Sequence, residues 1–132
     1  MSGGTCLAAD TLITMADGTQ RRIDSLSVGD EVLDKDNNSN VIYRIANNIM
    51  APHTYYYFSD GTIINEVAKH RFYNVEQGFY QLMEMWQIGE HAINQNGELI
   101  ELVRVERGEG EKECFGIFTV TGNYYANGLL SG

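Results

Sequence analysis

The sequence predicts an all-β domain of many short strands, on three observations: its turn dipeptides, its short alternating runs and an internal repeat. Glycine is plentiful, with 14 residues, and proline occurs once. Asp-Gly or Asn-Gly pairs stand at Asp17-Gly18, Asp60-Gly61, Asn96-Gly97 and Asn127-Gly128. Such pairs favour the tight turns that join antiparallel strands. Between them lie TLITM, EVLD, NVIYRI, TYYYFS, TIINEV, ELIELVRV and GIFTVT, each alternating or rich in β-branched residues. The run TYYYF reads as a strand with both faces occupied. Only YQLMEMWQIGE suggests helix, and there a single short turn.

The repeat gives those strands a shape. Gly18–Asn38, GTQRRIDSLSVGDEVLDKDNN, aligns without gaps to Gly78–Glu98, GFYQLMEMWQIGEHAINQNGE, at a constant offset of 60. Ile23 matches Met83, Leu26 matches Trp86, Gly29 matches Gly89, Asp30 matches Glu90 and Leu33 matches Ile93. Further on, YYYFSDGTII echoes FGIFTVTGNYY at nearly the same spacing. Two similar β-halves imply a pseudo-twofold domain that brings the chain ends together. Asp30, in VGDEVL, reads as a turn or strand-edge residue.

Composition narrows the function. A chain of 132 residues, 43% of them hydrophobic, fits one domain with a real core. Its 18 acidic and 9 basic side chains give a formal charge of −9, which argues against nucleic-acid binding, whose footprint is a basic stripe. No apolar run approaches the roughly 20 residues of a membrane span, and no signal-peptide pattern opens the chain. An intracellular, cytoplasmic monomer is expected, with no membrane, metal or cofactor.

Two cysteines, Cys6 and Cys114, allow at most one bridge, whereas secreted disulfide scaffolds usually carry more. Zinc sites need clustered ligands that this chain does not show. Cys114, in ECFGIFTV, reads as a small buried hydrophobe. Cys6 follows MSGGT, which reads as an exposed tether, and so suits a reactive thiol better than a core position.

Three blocks in order carry a family resemblance. CLAADTLITMADGTQRRIDSLSVGDEVL resembles the opening block of inteins and related Hedgehog/intein (Hint) domains: a leading Cys, a strand, a turn Gly, then Leu-x-x-Gly-Asp-x-Val. TIINEVAKHRFYN resembles their second block, with its His followed closely by Phe. IFTVTGNYYANGLLSG resembles the closing pair of blocks. The resemblance spans Cys6 to Gly132, leaving residues 1–5 as an N-side flanking (extein) remnant or an expression tag. It implies a compact, horseshoe-like Hint fold of mini-intein type, from a bacterial or phage host, with too little sequence at YNVEQGF for an endonuclease insert.

The same resemblance implies single-turnover self-processing. Cys6 would attack the carbonyl of Thr5, converting the Thr5–Cys6 amide into a thioester, and His70 would protonate the departing nitrogen. Both cysteines are then expected as free thiols. Partners would be the covalently fused flanking segments of a host polypeptide. His53 and His91 fall on no family motif and are expected at the surface or in turns.

Departures from the family pattern mark Val67, Asn123, Ser131 and Gly132 as possible supporting positions, with a secondary role for Cys114. Val67 stands where the family usually has Thr, three residues before the His. The family's closing-block His falls on Gly122, beside Asn123, and Phe115, Gly116 and Ile117 fill the window that usually holds an acid. The chain ends Ser131-Gly132, without the Asn whose cyclisation releases the downstream segment, so C-side cleavage is expected to be blocked. The alternative is a non-catalytic Hint-fold domain acting as a structural or interaction module.

Overall fold

The computed structural model of the chain describes residues 5–132. The predicted remnant at residues 1–5 therefore lies outside it, apart from the backbone of Thr5. Eleven strands form one sheet. Nine are short or of moderate length: β1 (Thr5–Leu7), β2 (Leu12–Thr14), β3 (Gln20–Arg22), β4 (Glu31–Leu33), β6 (Ile63–Asn74), β7 (Phe79–Leu82), β8 (His91–Ile93), β10 (Tyr124–Ala126) and β11 (Leu129–Ser131). Two are long, β5 (Ser39–Phe58) and β9 (Leu99–Thr119). The expected helical turn is a single 3₁₀ turn at Met83–Met85, and its repeat mate is another at Ile23–Ser25.

The offset of 60 found in the sequence is built into the backbone. Asp30 and Glu90 use one carboxylate oxygen each to accept the N–H of Ser27 and Gln87. Gly29 and Gly89 then turn with φ of 98° and 99°, a left-handed region that glycine enters without steric cost. Their N–H groups donate to the carbonyls of Ile42 and Leu102. Glu31 pairs with Val41 on β5, and His91 with Glu101 on β9. β5 and β9 pair with each other along most of their length, with register shifts that bend the ribbon.

One apolar core joins the halves. Ile23 and Met83 are both buried, as are Leu26 and Trp86, and the Trp86 ring meets Phe58 edge to face. Fully burying such a side chain is worth about 1.5–3 kcal/mol. Truncating Ile42 or Met83, each without exposed surface, to alanine should cost roughly 2–5 kcal/mol through transfer and cavity terms.

His53 departs from expectation. It lies in β5 and is only 4% exposed. Its Nδ1 accepts from the Asn65 amide and its Nε2 donates to the Glu109 carbonyl, a pattern the Nε2–H tautomer satisfies. A side chain at Gly108 would overlap the ring, its Cβ falling 2.0 Å from the His53 Cε1. Backbone without a side chain is what makes room for the imidazole, a feature that local sequence does not announce. His91 sits on strand β8, not in a turn, and its Nδ1 contacts the Glu76 carboxylate at 2.6 Å near the surface.

Candidate functional site

The site forms where β1 enters the sheet. β1 lies between β6 and β9, and Thr5 pairs across with His70 while Leu7 pairs with Glu66. Two steps along β1 thus face four along β6, so residues 67–69 bulge out of the β1–β6 ladder, while Val67 keeps its pairing with His53 on β5. Ala68 carries the bend with φ 62°, a left-handed value rarely adopted by non-glycine residues. Bulges of this kind re-aim side chains beside reactive sites. Here the bulge carries His70 to the strand position opposite Thr5. The bond from Thr5 to Cys6 therefore starts directly across from the imidazole-bearing residue.

His70 is completely buried. Its ring stacks obliquely on Phe72 and meets Tyr124 edge-on. Its Nε2 shares a 2.5 Å hydrogen bond with the Ser131 hydroxyl, also fully buried. Ser131 reaches this place because β11 pairs with β6, Ser131 opposite Phe72. Burial pushes the Tyr124 phenol well above its ordinary range.

The cysteines overturn the expectation of two free thiols. Cys6 and Cys114 are joined by a disulfide, with Cα atoms 5.0 Å apart. The cause is the register: β1 pairs with β9 through Leu7 and Phe115, which sets residues 6 and 114 on a diagonal within bridging range. Val67, fully buried, packs with Ala8, Ala51 and both cysteines. Cys114 is indeed core, and it is also bonded to the predicted nucleophile.

Glu66 was not singled out by the sequence. It is 2% exposed, although alternation along TIINEV would set a charged residue toward water. One carboxylate oxygen accepts the His70 backbone N–H at 2.9 Å, and the other accepts the Tyr56 hydroxyl at 3.2 Å. Burial pushes this carboxyl up to about 7, against the lowering effect of the two hydrogen bonds. Tyr56 is in turn pushed upward, first by burial and then by the Glu66 charge. The only forewarning was a charged residue inside an apolar strand, four positions before the motif histidine.

Solved structures share this arrangement of strands. A gp41-1 intein superposes with a TM-score of 0.85 at 21% identity, over 98% of this chain and 98% of that one. A DnaB intein from Synechocystis sp. PCC 6803 gives 0.83 at 18% identity, over 97% of each chain. A bacterial intein-like domain from Clostridium thermocellum gives 0.82 at 16%, over 96% and 97%. The chain has the intein fold. No family model matches the sequence, and no curated protein matches it at a significant level.

Within the intein fold, the remaining predicted positions separate. Gly132 donates its N–H to the Arg71 carbonyl, and a Cβ there would come 2.9 Å from the Tyr80 ring and 3.1 Å from the Gly122 carbonyl. A side chain at this position would thus collide with Tyr80. Asn123 is not brought to the cysteine–histidine group by any of its hydrogen bonds. Its side-chain and backbone carbonyl oxygens accept from the Lys35 N–H and the Asn40 amide, tying the β4–β5 turn and the start of β5 to the β9–β10 connection. Among the described residues, no group of three or more His, Cys, Asp or Glu is placed to hold a metal ion, and no helix is long and apolar enough to cross a membrane.

Proposed function

We propose that the chain is a self-processing domain of intein type that acts on its own Thr5–Cys6 bond once its disulfide has been reduced. The observation that carries this reading is the pairing of Thr5 with a fully buried His70 across the bulge of β6, within the intein fold. The domain would work fused inside a host polypeptide, turning over once.

The first step is thiol–disulfide exchange. A dithiol reductant is oxidised to its cyclic disulfide, and Cys6 and Cys114 become thiols. The Cys6 thiolate then attacks the Thr5 carbonyl carbon, forming the C–S bond. The C–N bond breaks as His70 delivers a proton to the nitrogen, leaving a thioester and the free amine of Cys6. Ser131, bonded to the His70 Nε2, holds the ring's orientation. A second thiol can then take the acyl group from Cys6, releasing the segment that ends at Thr5. C-side release needs an Asn after Gly132. In a fusion that stops at Gly132, N-side cleavage is expected alone.

A second reading rests on the disulfide itself: a permanent staple that makes the domain a structural module. One experiment separates the two. A reporter fused ahead of residue 1 should stay attached under non-reducing conditions and be released by dithiothreitol, with mass spectrometry placing the break after Thr5. Supplying Asn after Gly132, with Cys, Ser or Thr beyond it, should add C-side release. A reduced, folded and inert fusion would leave the structural module as the answer.

A further inference from the structure

We propose that Glu66 is a positioning residue for His70: its buried carboxylate, by accepting the His70 backbone N–H, fixes the bulge that sets the imidazole opposite Thr5. The proposal goes beyond the self-processing reading in assigning a role to a residue outside the three sequence blocks' signature positions, and its effect on cleavage rests on that reading.

The geometry motivates it. In a regular ladder the strand across supplies the acceptor for each N–H. Across residues 67–69 the β1–β6 ladder is interrupted, and the His70 N–H instead finds Glu66 Oε2, four residues back, at 2.9 Å. The carboxylate spans the bulge as a strut. Its other oxygen is anchored to β5 by the Tyr56 hydroxyl, so the strut is tied at both ends. The backbone it restrains includes Ala68 in its left-handed conformation, which an alanine adopts only where its surroundings hold it there. A charge-assisted hydrogen bond is the stronger kind for that purpose.

The charge itself is unusual. Lys69 reaches past it to pair with Glu84 at 3.6 Å, and among the described residues Glu66 has no ion-pair partner of its own. The groups facing it are Tyr56 from β5, Lys69 from β6, Glu84 from the 3₁₀ turn and Arg107 from β9, around a cleft of about 360 Å³. An amide would keep one oxygen to accept the His70 N–H and could donate from its NH2 to the Tyr56 hydroxyl oxygen, without the cost of burying a charge. A carboxylate adds dependence on pH: its affinity for protons is raised to about 7, with burial the main cause. As pH falls through that value the strut loses its charge, and the His70 N–H loses its strongest acceptor.

Two measurements test this, one of them independent of cleavage. In the intact, oxidised protein, NMR should show the His70 amide proton following the Glu66 carboxyl carbon through one common midpoint near 7. Glu66→Gln should remove that component of the amide titration. In the reporter fusion at pH 8 with dithiothreitol, Glu66→Gln should cleave within about 3-fold of the unmodified protein, whereas Glu66→Ala should be roughly 10- to 100-fold slower. Glu66→Asp, too short to reach, replaces the Ala variant if that fails to fold. An Ala or Asp variant that cleaves at full rate, a Gln variant as slow as Ala, or an amide that ignores the carboxyl overturns the proposal. Should the unmodified fusion be inert, the self-processing reading falls, while the positioning of His70 still stands or falls on the amide titration.

Discussion

Residues 5–14 and 65–74 occupy matching places in the two halves, yet they are built differently. In the first half the chain breaks: β1 ends at Leu7, a turn closes with the Thr11 N–H on the Ala8 carbonyl, and β2 begins at Leu12. In the second half β6 runs through from Ile63 to Asn74, absorbing the irregularity as a bulge at Ala68. The sheet register sets the correspondence: β2 pairs Leu12 with Arg22 and β6 pairs Arg71 with Leu82, so Thr11 takes the place of His70. Thr11 is 2% exposed and His70 is fully enclosed. The repeated frame thus buries the position in both halves and leaves open which side chain fills it. The thiol comes from one copy and the imidazole from the other. Neither half holds the pair alone.

The comparison breaks most sharply at its thiol. Cys6→Ala should abolish dithiothreitol-induced release entirely, because alanine cannot form the thioester that exchanges with thiols; electrophoresis of the fusion reads this directly. Next comes the histidine and its mate. His70→Ala should slow release by roughly 100- to 10,000-fold, whereas Thr11→Val, at the corresponding place in the first half, should change it less than about 2-fold in the same assay. Equal effects would mean that the two halves had not diverged in function.

Stability distinguishes the halves less steeply. The disulfide closes a separation of 108 residues, for which chain-entropy reasoning gives about 4–5 kcal/mol. Denaturant melts with and without reductant should differ by up to that amount, and Cys114→Ser should resemble the reduced protein. Glu66 supplies a smaller, pH-dependent term. Its folded affinity for protons is raised from the ordinary 4.5 to about 7, so its contribution is fully present below 4.5 and is lost as pH rises through 7. Relative to Glu66→Gln, the unmodified protein should lose at most about 3 kcal/mol across that window. Smallest is Val67→Thr. It should leave cleavage intact or raise it, while a hydroxyl in that apolar cluster costs about 1–2 kcal/mol in a melt.

Much of this frame could be read before the structure. The Asp-Gly and Asn-Gly turns and the paired Gly29/Gly89 steps encode local backbone conformation, and local conformation is what short sequence patterns carry. His70 could be singled out for the same reason, through a compact motif. The disulfide was not, because two cysteines 108 residues apart meet only through the β1–β9 register. His53 was misread because its burial depends on an absent side chain at Gly108, on a distant part of β9. Glu66 hid in plain alternation: charge at a strand position implies solvent until the bulge turns it inward. Ser131 and Gly132 could be flagged as departures from a pattern, but only the sheet shows Ser131 touching His70 and Tyr80 filling the space beside Gly132.

β6 has β1 on one side and β11 on the other. Thr5 faces His70 and Ser131 faces Phe72, two residues further along the same strand. Two interstrand spacings amount to about 10 Å, a gap that a handful of residues can bridge. A closed-ring version, with Gly132 linked back to the N-terminus through a short glycine–serine segment, should therefore form without disturbing the sheet. New termini opened at Asp60-Gly61, an exposed hairpin tip, would give a permuted chain of the same architecture. The close spacing also means that the domain could sit in a surface loop of another protein and hold the loop's two stems no farther apart than neighbouring strands of a hairpin plus one. A carrier so interrupted would pay little in loop-closure entropy, and could reach its own fold with the insert still in place.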